Sequence, residues 1–333
     1  MRQESAETMQ EAFAKGTLQN IRIQVGKFQT FCEEYGRGTR PVSVNTLIMY
    51  IEYLGSRFSA VNTIKSYING VKIWHMTGGY KTTAFDSYAL KLMFRGMERK
   101  LQHKVHQALP VTPEILLKIR QVIDLKAEKD ITKWALYLIA FFLVCRKSNL
   151  VPDSAKSFDP QKQLTRGHFE EIDENLRVIM KWTKTIQYNE RQLVVPIRRI
   201  KGSKLCPVKA YKRMCTKNPA TQGEPAFVHK GKKGKMIVWT YRMFMTELKK
   251  DIEKIGEDPR AYSTHSFRRG AATFACEAGV EAETVKIMGD WRSDCFRQYL
   301  QVSMQKKEEA AIRMGEKIKN IEGHENCYLL QRE

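Results

Sequence analysis

The sequence predicts a mainly α protein in two parts, an N-terminal helical bundle followed by a larger, mainly helical domain that carries a small β element. Three observations predict it. Apolar residues recur at helical spacing through the region before residue 107, prolines break the chain between Gln107 and Pro113, and two short Val/Ile/Leu-rich runs interrupt the helical pattern beyond that break.

In the first part, Leu18, Ile21, Val25, Phe28 and Phe31 fall on one side of a helix over Leu18 to Tyr35, which Gly36 and Gly38 close. Ser43 is placed to cap a helix over Val44 to Phe58. A third helix is expected over Ser59 to Trp74, opened by Ser59, Asn62 and Thr63, and a fourth over Ser87 to Gln102. Residues 1–15 read as a tail, 16–106 as the bundle, 107–113 as a linker held out of helix by Pro110 and Pro113, and 114–333 as the second domain.

Beyond the linker, helices are expected over Pro113 to Ile123 and Ile131 to Arg146. Strands follow over Leu176 to Trp182 and Leu193 to Ile197, joined by the polar stretch Thr183 to Gln192. Helical spacing returns at Thr240 to Ile255, Ser266 to Ala278, Glu281 to Met288, Cys295 to Gln301 and Lys306 to Ile321. No internal repeat or low-complexity segment interrupts this order.

Composition narrows the class of partner. The chain has 333 residues, 42% of them hydrophobic, which is enough for packed cores throughout. Its 57 Lys and Arg against 36 Asp and Glu leave a formal charge of +21, which favours polyanions such as nucleic acid or an acidic membrane surface. The longest apolar run, Trp134 to Val144, is too short to span a bilayer, and Met1 to Lys15 has no hydrophobic stretch of the kind a secretory signal needs. The seven cysteines form no CxxC pair and no zinc-ligand spacing, so they are expected to be reduced thiols inside a cell, with no metal site. On the fourth helix, Lys91, Arg95 and Arg99 recur every four residues with Lys100 and Lys104 beside them. A solvated helix face explains such a stripe alone; in a chain of +21 it also suits a DNA backbone.

The residues that carry chemistry lie in the second domain. Thr264-His265-Ser266-Phe267-Arg268-Arg269-Gly270 puts His265 and Arg268 three apart, so that at a helix start an imidazole and a guanidinium point to one spot. Such a pair suits a phosphate, because Arg offers a planar fork of donors and His exchanges a proton near neutral pH. Upstream, the apolar run Phe141 to Val144 leads straight into Arg146, a charge that is costly to leave unpaired. Between them Lys184 sits in a turn, and downstream Gly289-Asp290-Trp291-Arg292-Ser293-Asp294 precedes a short helix holding Tyr299. Each has an ordinary reading: Trp291 as a packing aromatic, Tyr299 as a tyrosine of an amphipathic helix, and Lys184 as a basic surface residue beside Lys181. The basic, glycine-rich run His229 to Lys235 reads as a solvated turn.

Taken in order, these segments resemble the tyrosine recombinase/phage integrase family, whose pattern is an arginine after an apolar helix, a hairpin lysine, HxxR, a His or Trp, and a tyrosine. CRKSNL, THSFRRG and MGDWRSDCFRQYL are most similar to the recombinases of eukaryotic Crypton and DIRS-like mobile elements. The resemblance covers both parts and implies a core-binding domain and a catalytic domain closed around duplex DNA. It implies Arg146 and Arg268 as phosphate clamps, His265 as the HxxR histidine, Lys184 as proton donor to the leaving 5′-oxygen and Tyr299 as nucleophile. Trp291 is favoured for the sixth position, although it lies eight residues before Tyr299 and Asp290 lies nine. Asn149 stands where many members carry an acidic residue supporting the first arginine.

The implied activity is cutting and rejoining of DNA through a 3′-phosphotyrosyl intermediate, with arginines doing what metal ions do in many nucleases and no cofactor. The implied partners are double-stranded DNA and further copies of the chain, as a tetramer on two sites, with the segment Lys306 to Ile321 docking on a neighbour or on its own domain. An intracellular setting is expected, nuclear in a eukaryotic host. Two rivals stand beside this reading: a domesticated DNA-binding protein that has lost catalysis, and a type IB topoisomerase-like enzyme.

Overall fold

In the computed structural model the described residues are 7–9, 11–103, 107–188, 190–231, 234–293, 308, 311–316 and 318. The chain divides into two compact units, Met1–His106 and Gln107–Glu333.

The first unit is a helical bundle of α1 (Lys15–Glu34), α2 (Val44–Gly55), α3 (Val61–Thr77) and α4 (Tyr88–Leu101). Helix α1 packs on α3, and α2 packs on α4. Their apolar stripes meet in a core of Phe28, Phe31, Leu47, Tyr50, Ile51, Ile64, Val71 and Met97. Ser43 caps α2 by accepting a hydrogen bond from the Thr46 amide at 3.1 Å. Helix α3 has no such cap: it starts at Val61 after Ala60, so Ser59, Asn62 and Thr63 do not open it as their side chains suggest.

The second unit is built around α6 (Glu128–Phe142), with α5 (Pro113–Val122) before it and the single turn α7 (Lys147–Leu150) after it. Pro113 takes the first helical position of α5, where its missing amide costs nothing, and the Thr112 hydroxyl caps that helix. Every residue of α6 from Ile131 to Phe141 is buried, which is why its sequence is apolar all round rather than striped. Two polar members are buried with partners: Thr132 donates to the Val228 carbonyl at 2.8 Å, and the Lys133 ammonium lies 3.0 Å from Asp251 and 3.1 Å from Asp130, carboxylates that outweigh the burial that would discharge it. Tyr137 donates to the same Asp251 carboxylate at 3.0 Å.

A three-stranded antiparallel sheet follows: β1 (Phe169–Ile172), β2 (Asn175–Met180) and β3 (Leu193–Ile197), in the order β1-β2-β3. Phe169 pairs with Val178, and Met180 with Leu193. Helix α8 (Pro207–Lys217), absent from the expected helices, packs on α6. A small hairpin of β4 (Val228–Lys230) and β5 (Met236–Val238) contains the basic run His229 to Lys235, of which Lys232 and Lys233 lie outside the described residues. Then come α9 (Tyr241–Lys254), α10 (His265–Glu277) and α11 (Ala282–Met288). Of the expected terminal helices, Cys295 to Gln301 lies outside the described residues; of Lys306 to Ile321, residues 311–316 are helical and exposed.

The segment between the prolines belongs to this second unit by its bonding. The Leu109 amide donates to the Ala261 carbonyl at 2.7 Å and the Val111 amide to the Ser266 carbonyl at 2.9 Å. Arg269 donates to the Ala108 carbonyl at 2.9 Å. Gly270 lies directly beneath, where a Cβ would stand 1.9 Å from the Val111 carbonyl oxygen. The start of α10 is therefore fixed by the chain that leads into the domain.

Candidate active site

The site grows from two places where the backbone turns sharply without glycine. Helix α6 ends at Phe142, four residues before Arg146, and Val144 then adopts a left-handed φ of 50°. A β-branched residue is disfavoured there, so surrounding contacts must hold it. One of them is Arg268, whose Nη1 donates to the Val144 carbonyl at 2.7 Å. At the end of α11, Asp290 has φ 52°. Arg268 Nη2 donates to the Gly289 carbonyl next to it at 2.6 Å, and the Asp290 carbonyl accepts from Arg146 Nη2 at 3.4 Å. Both arginines thus bind main-chain oxygens at the two turns.

Arg146 lies at the N-terminus of α7 with its side chain 19% exposed. Arg268, on the first turn of α10, is buried, and its guanidinium lies over the Trp291 ring at 3.7 Å from the centroid. His265 opens α10 and is exposed. Its imidazole is pulled below the ordinary 6.5, first by the protein packed around it and then by the charges of Arg268, Arg146 and Lys147, so the neutral ring is favoured. Lys147 stacks its ammonium on Tyr241 at 3.9 Å and pairs with Asp153 at 2.6 Å. Burial pushes the Cys145 thiol up to about 12, against the pull of the two arginines, so it is a packing residue and not a nucleophile.

Lys184 occupies the exposed tip of a turn closed by Thr183 and Ile186, within the stretch that joins β2 to β3. On either side of it, Thr183 and Thr185 donate their hydroxyls to Asp290 Oδ2. Arg191 donates to Asp290 Oδ1, and Arg146 Nη1 lies 3.9 Å from Oδ2. Burial raises the cost of a charged Asp290, but those hydroxyls and Arg191 outweigh it and hold its carboxyl below the usual range. Asn149 is buried and donates its amide to the Trp182 carbonyl at 2.8 Å, so it supports the base of the same turn and not the arginine.

The structure therefore brings Arg146, His265, Arg268 and the Lys184 turn together, with Trp291 buried against Arg268. Tyr299 lies outside the described residues. In the first unit Lys91, Arg95, Arg99 and Lys100 are exposed on α4; Lys100 pairs with Glu52 at 3.3 Å, and Lys104 lies outside the described residues. Sequence reasoning missed Asp290 as the shared acceptor, with Thr183, Thr185 and Arg191 as its donors. The signal for it was a threonine on each side of Lys184 and the nine-residue spacing from Asp290 to Tyr299. Among the described residues no group of His, Cys, Asp and Glu could hold a metal ion, and no helix is long and apolar enough to cross a membrane.

No protein-family model matches the chain. An integrase/recombinase XerD homolog of Selenomonas ruminantium is 22% identical over 325 residues, covering 93% of this chain and 88% of the relative. The Tn1549 transposon integrase in complex with circular intermediate DNA is similar with a TM-score of 0.55 and 13% identity, over 87% of this chain and 92% of that one. XerH recombinase bound to a palindromic difH substrate, in a post-cleavage complex, gives 0.54 and 15%, over 89% and 77%. A lambda integrase dimer bound to a COC′ core site gives 0.52 and 14%, over 90% and 75%. The chain has the tyrosine recombinase fold. Its similarity to the XerD homolog supports the integrase/recombinase family in particular.

Proposed function

We propose that this protein is a site-specific tyrosine recombinase of a mobile element, which cuts and rejoins double-stranded DNA through a 3′-phosphotyrosyl intermediate. The observation that carries this reading is the meeting of Arg146 from the start of α7, His265 and Arg268 from the first turn of α10, and the Lys184 turn after β2, around Gly289 and Asp290 just before the segment that holds Tyr299. Two arginines and a neutral imidazole beside an exposed lysine suit a phosphodiester whose charge grows during in-line attack.

In this reading the Tyr299 hydroxyl attacks the scissile phosphorus and its proton passes to His265, whose neutral ring is favoured first by the protein packed around it and then by its cationic neighbours. Arg146 and Arg268 neutralise the phosphoryl oxygens. Lys184 gives a proton to the leaving 5′-oxygen. The phosphotyrosyl bond conserves the energy of the phosphodiester, so a 5′-hydroxyl from another strand reverses the step without water or ATP. The basic face of α4 contacts the DNA backbone, and four copies act on two sites, in the nucleus where the host is a eukaryote. The Crypton and DIRS-like resemblance of the motifs supports the mobile-element setting.

A pool of nicked duplexes with a randomised centre tests this. Strand loss at the nick traps any covalent protein–DNA adduct, and sequencing the trapped strand defines the site. Adduct is expected from the parent protein and none from Tyr299→Phe, which loses only a hydroxyl. Adduct from the Phe variant means another nucleophile; none from the parent, with DNA binding intact, means a DNA-binding protein without catalysis.

A further inference from the structure

We infer that Asp290 is a positioning residue that latches the Lys184 turn against Arg146, so that the proton donor and the phosphate clamp are held by one carboxylate. The functional consequence rests on the recombinase reading above; the latch itself rests on geometry alone.

The Lys184 turn lies beyond the sheet that leads into it. Strand β2 ends at Met180 and β3 begins at Leu193, so sheet pairing stops short of residues 183–187. Within the turn, the Thr183 amide donates to the Ile186 carbonyl at 3.0 Å, and the Thr185 and Ile186 amides both donate to the Thr183 hydroxyl oxygen at 3.1 Å. These bonds shape the turn but do not fix where it stands. Three attachments to the rest of the domain do: Asn149 to the Trp182 carbonyl, Arg292 to the Thr185 carbonyl at 2.5 Å, and Asp290 to the hydroxyls of Thr183 and Thr185, the attachment that also reaches Arg146.

Asp290 is built for that task. It is 5% exposed and joins three chain segments: the turn through Thr183 and Thr185, the following strand approach through Arg191, and the start of α7 through Arg146. Its carbonyl repeats the connection to the start of α7, accepting from Arg146 Nη2 at 3.4 Å, and lies 3.3 Å from the Thr185 hydroxyl oxygen. An ionised carboxylate offers acceptors only, so at the sixth position of the pattern Asp290 cannot donate to a phosphate as a His or Trp does. Its place is behind the site, where its charge holds donors and balances Arg146. The left-handed backbone at φ 52° is one that Asp and Asn tolerate better than most residues.

The test uses the whole chain with Asp290→Asn, which keeps shape and backbone preference, and with Thr185→Val, which removes one donor to Asp290 and leaves in place the Thr183 oxygen that the turn's own amides bind. Hydrogen exchange of the 183–187 amides is expected to quicken by about tenfold or more in both variants, with the α6 segment unchanged. Unchanged exchange in the turn overturns the latch whether or not the protein cleaves DNA. On the duplex trapped by the parent protein, both variants are expected to cleave more slowly, on the order of 10²-fold, the scale of lost general-acid catalysis. Replacing the 5′-bridging oxygen by sulfur gives a leaving group that needs no proton, and the rate should return close to the parent's, as for Lys184→Ala. Slow cleavage of both substrates would mean that Asp290 acts through Arg146 and not through the lysine turn. No adduct from the parent on any duplex would remove the recombinase reading, while the exchange result would still decide the latch.

Discussion

His265 shows how much of this site is set by neighbouring charge. The ring is exposed, yet packing at the helix start and three nearby cations all disfavour the imidazolium, so its folded-state pKa falls below the ordinary 6.5. Protonation therefore waits for more acid conditions, and neutral imidazole persists down to a lower pH than in a free histidine. A ring-proton NMR titration should give a midpoint below 6.5 in the parent. Lys147→Ala, which removes one cation, should move that midpoint upward; a parent midpoint at or above 6.5 would contradict the electrostatic account. The same scale shows what a sequence hides. His265, Arg268 and Lys184 stand out by type and spacing, and Arg146 stands out because a charge after Phe141 to Val144 needs partners. Trp291 and Asp290 are harder to separate, because spacing to Tyr299 does not tell which faces the turn. The structure puts the indole on Arg268 and the carboxylate under Thr183 and Thr185.

Among the elements, the first turns of α10 hold the site by three different means. Arg268 reaches the carbonyls at the ends of α6 and α11, Arg269 binds Ala108, and Gly270 admits the backbone of Val111. Gly270→Ala would force a methyl to within 1.9 Å of a carbonyl oxygen in a buried contact. Overpacking of that kind costs about 1–3 kcal/mol, more where the backbone cannot yield. Thermal or denaturant unfolding should show a loss at the upper end of that range or beyond, and a loss under about 0.5 kcal/mol would mean that the segment is free to move away. The elements most legible in the sequence are those with one clean apolar stripe, such as α1 and α9, or with a run of strand formers, such as β3. Helix α8 is equally legible in principle, since buried Val208, Tyr211 and Met214 recur every three residues with Lys209, Lys212 and Arg213 between them and Pro207 at the first helical position, yet the expected helices omit it. The end of α6 falls earlier than the sequence suggests because Val144, not a glycine, makes the turn.

For the molecule as a whole, the excess of positive charge is the property a polyanion would sense first. Lys91, Arg95 and Arg99 stand exposed in register on α4, whereas Lys100 is engaged by Glu52. If these three bind phosphates, DNA affinity should fall steeply with salt, and replacing all three should flatten the slope of log K against log salt by about 0.9 for each phosphate no longer neutralised. An unchanged slope would return the stripe to a solvated helix face. Lys100→Ala alone should change the slope less than any one of the three.

The bonding of residues 107–111 decides where the chain can be cut. A catalytic fragment begun at residue 114, as the prolines suggest, would leave the Ala261 and Ser266 carbonyls without their amide donors, strip Arg269 of its acceptor and open a slot above Gly270. Each loss falls on, or just before, the helix that carries His265 and Arg268. A fragment begun at residue 107 keeps these bonds and should unfold cooperatively, while the shorter one should be markedly less stable or insoluble. The residues between the two starting points act less as a tether than as a missing edge of the domain, and limited proteolysis of the intact protein should cut before residue 107 in preference to within 107–111.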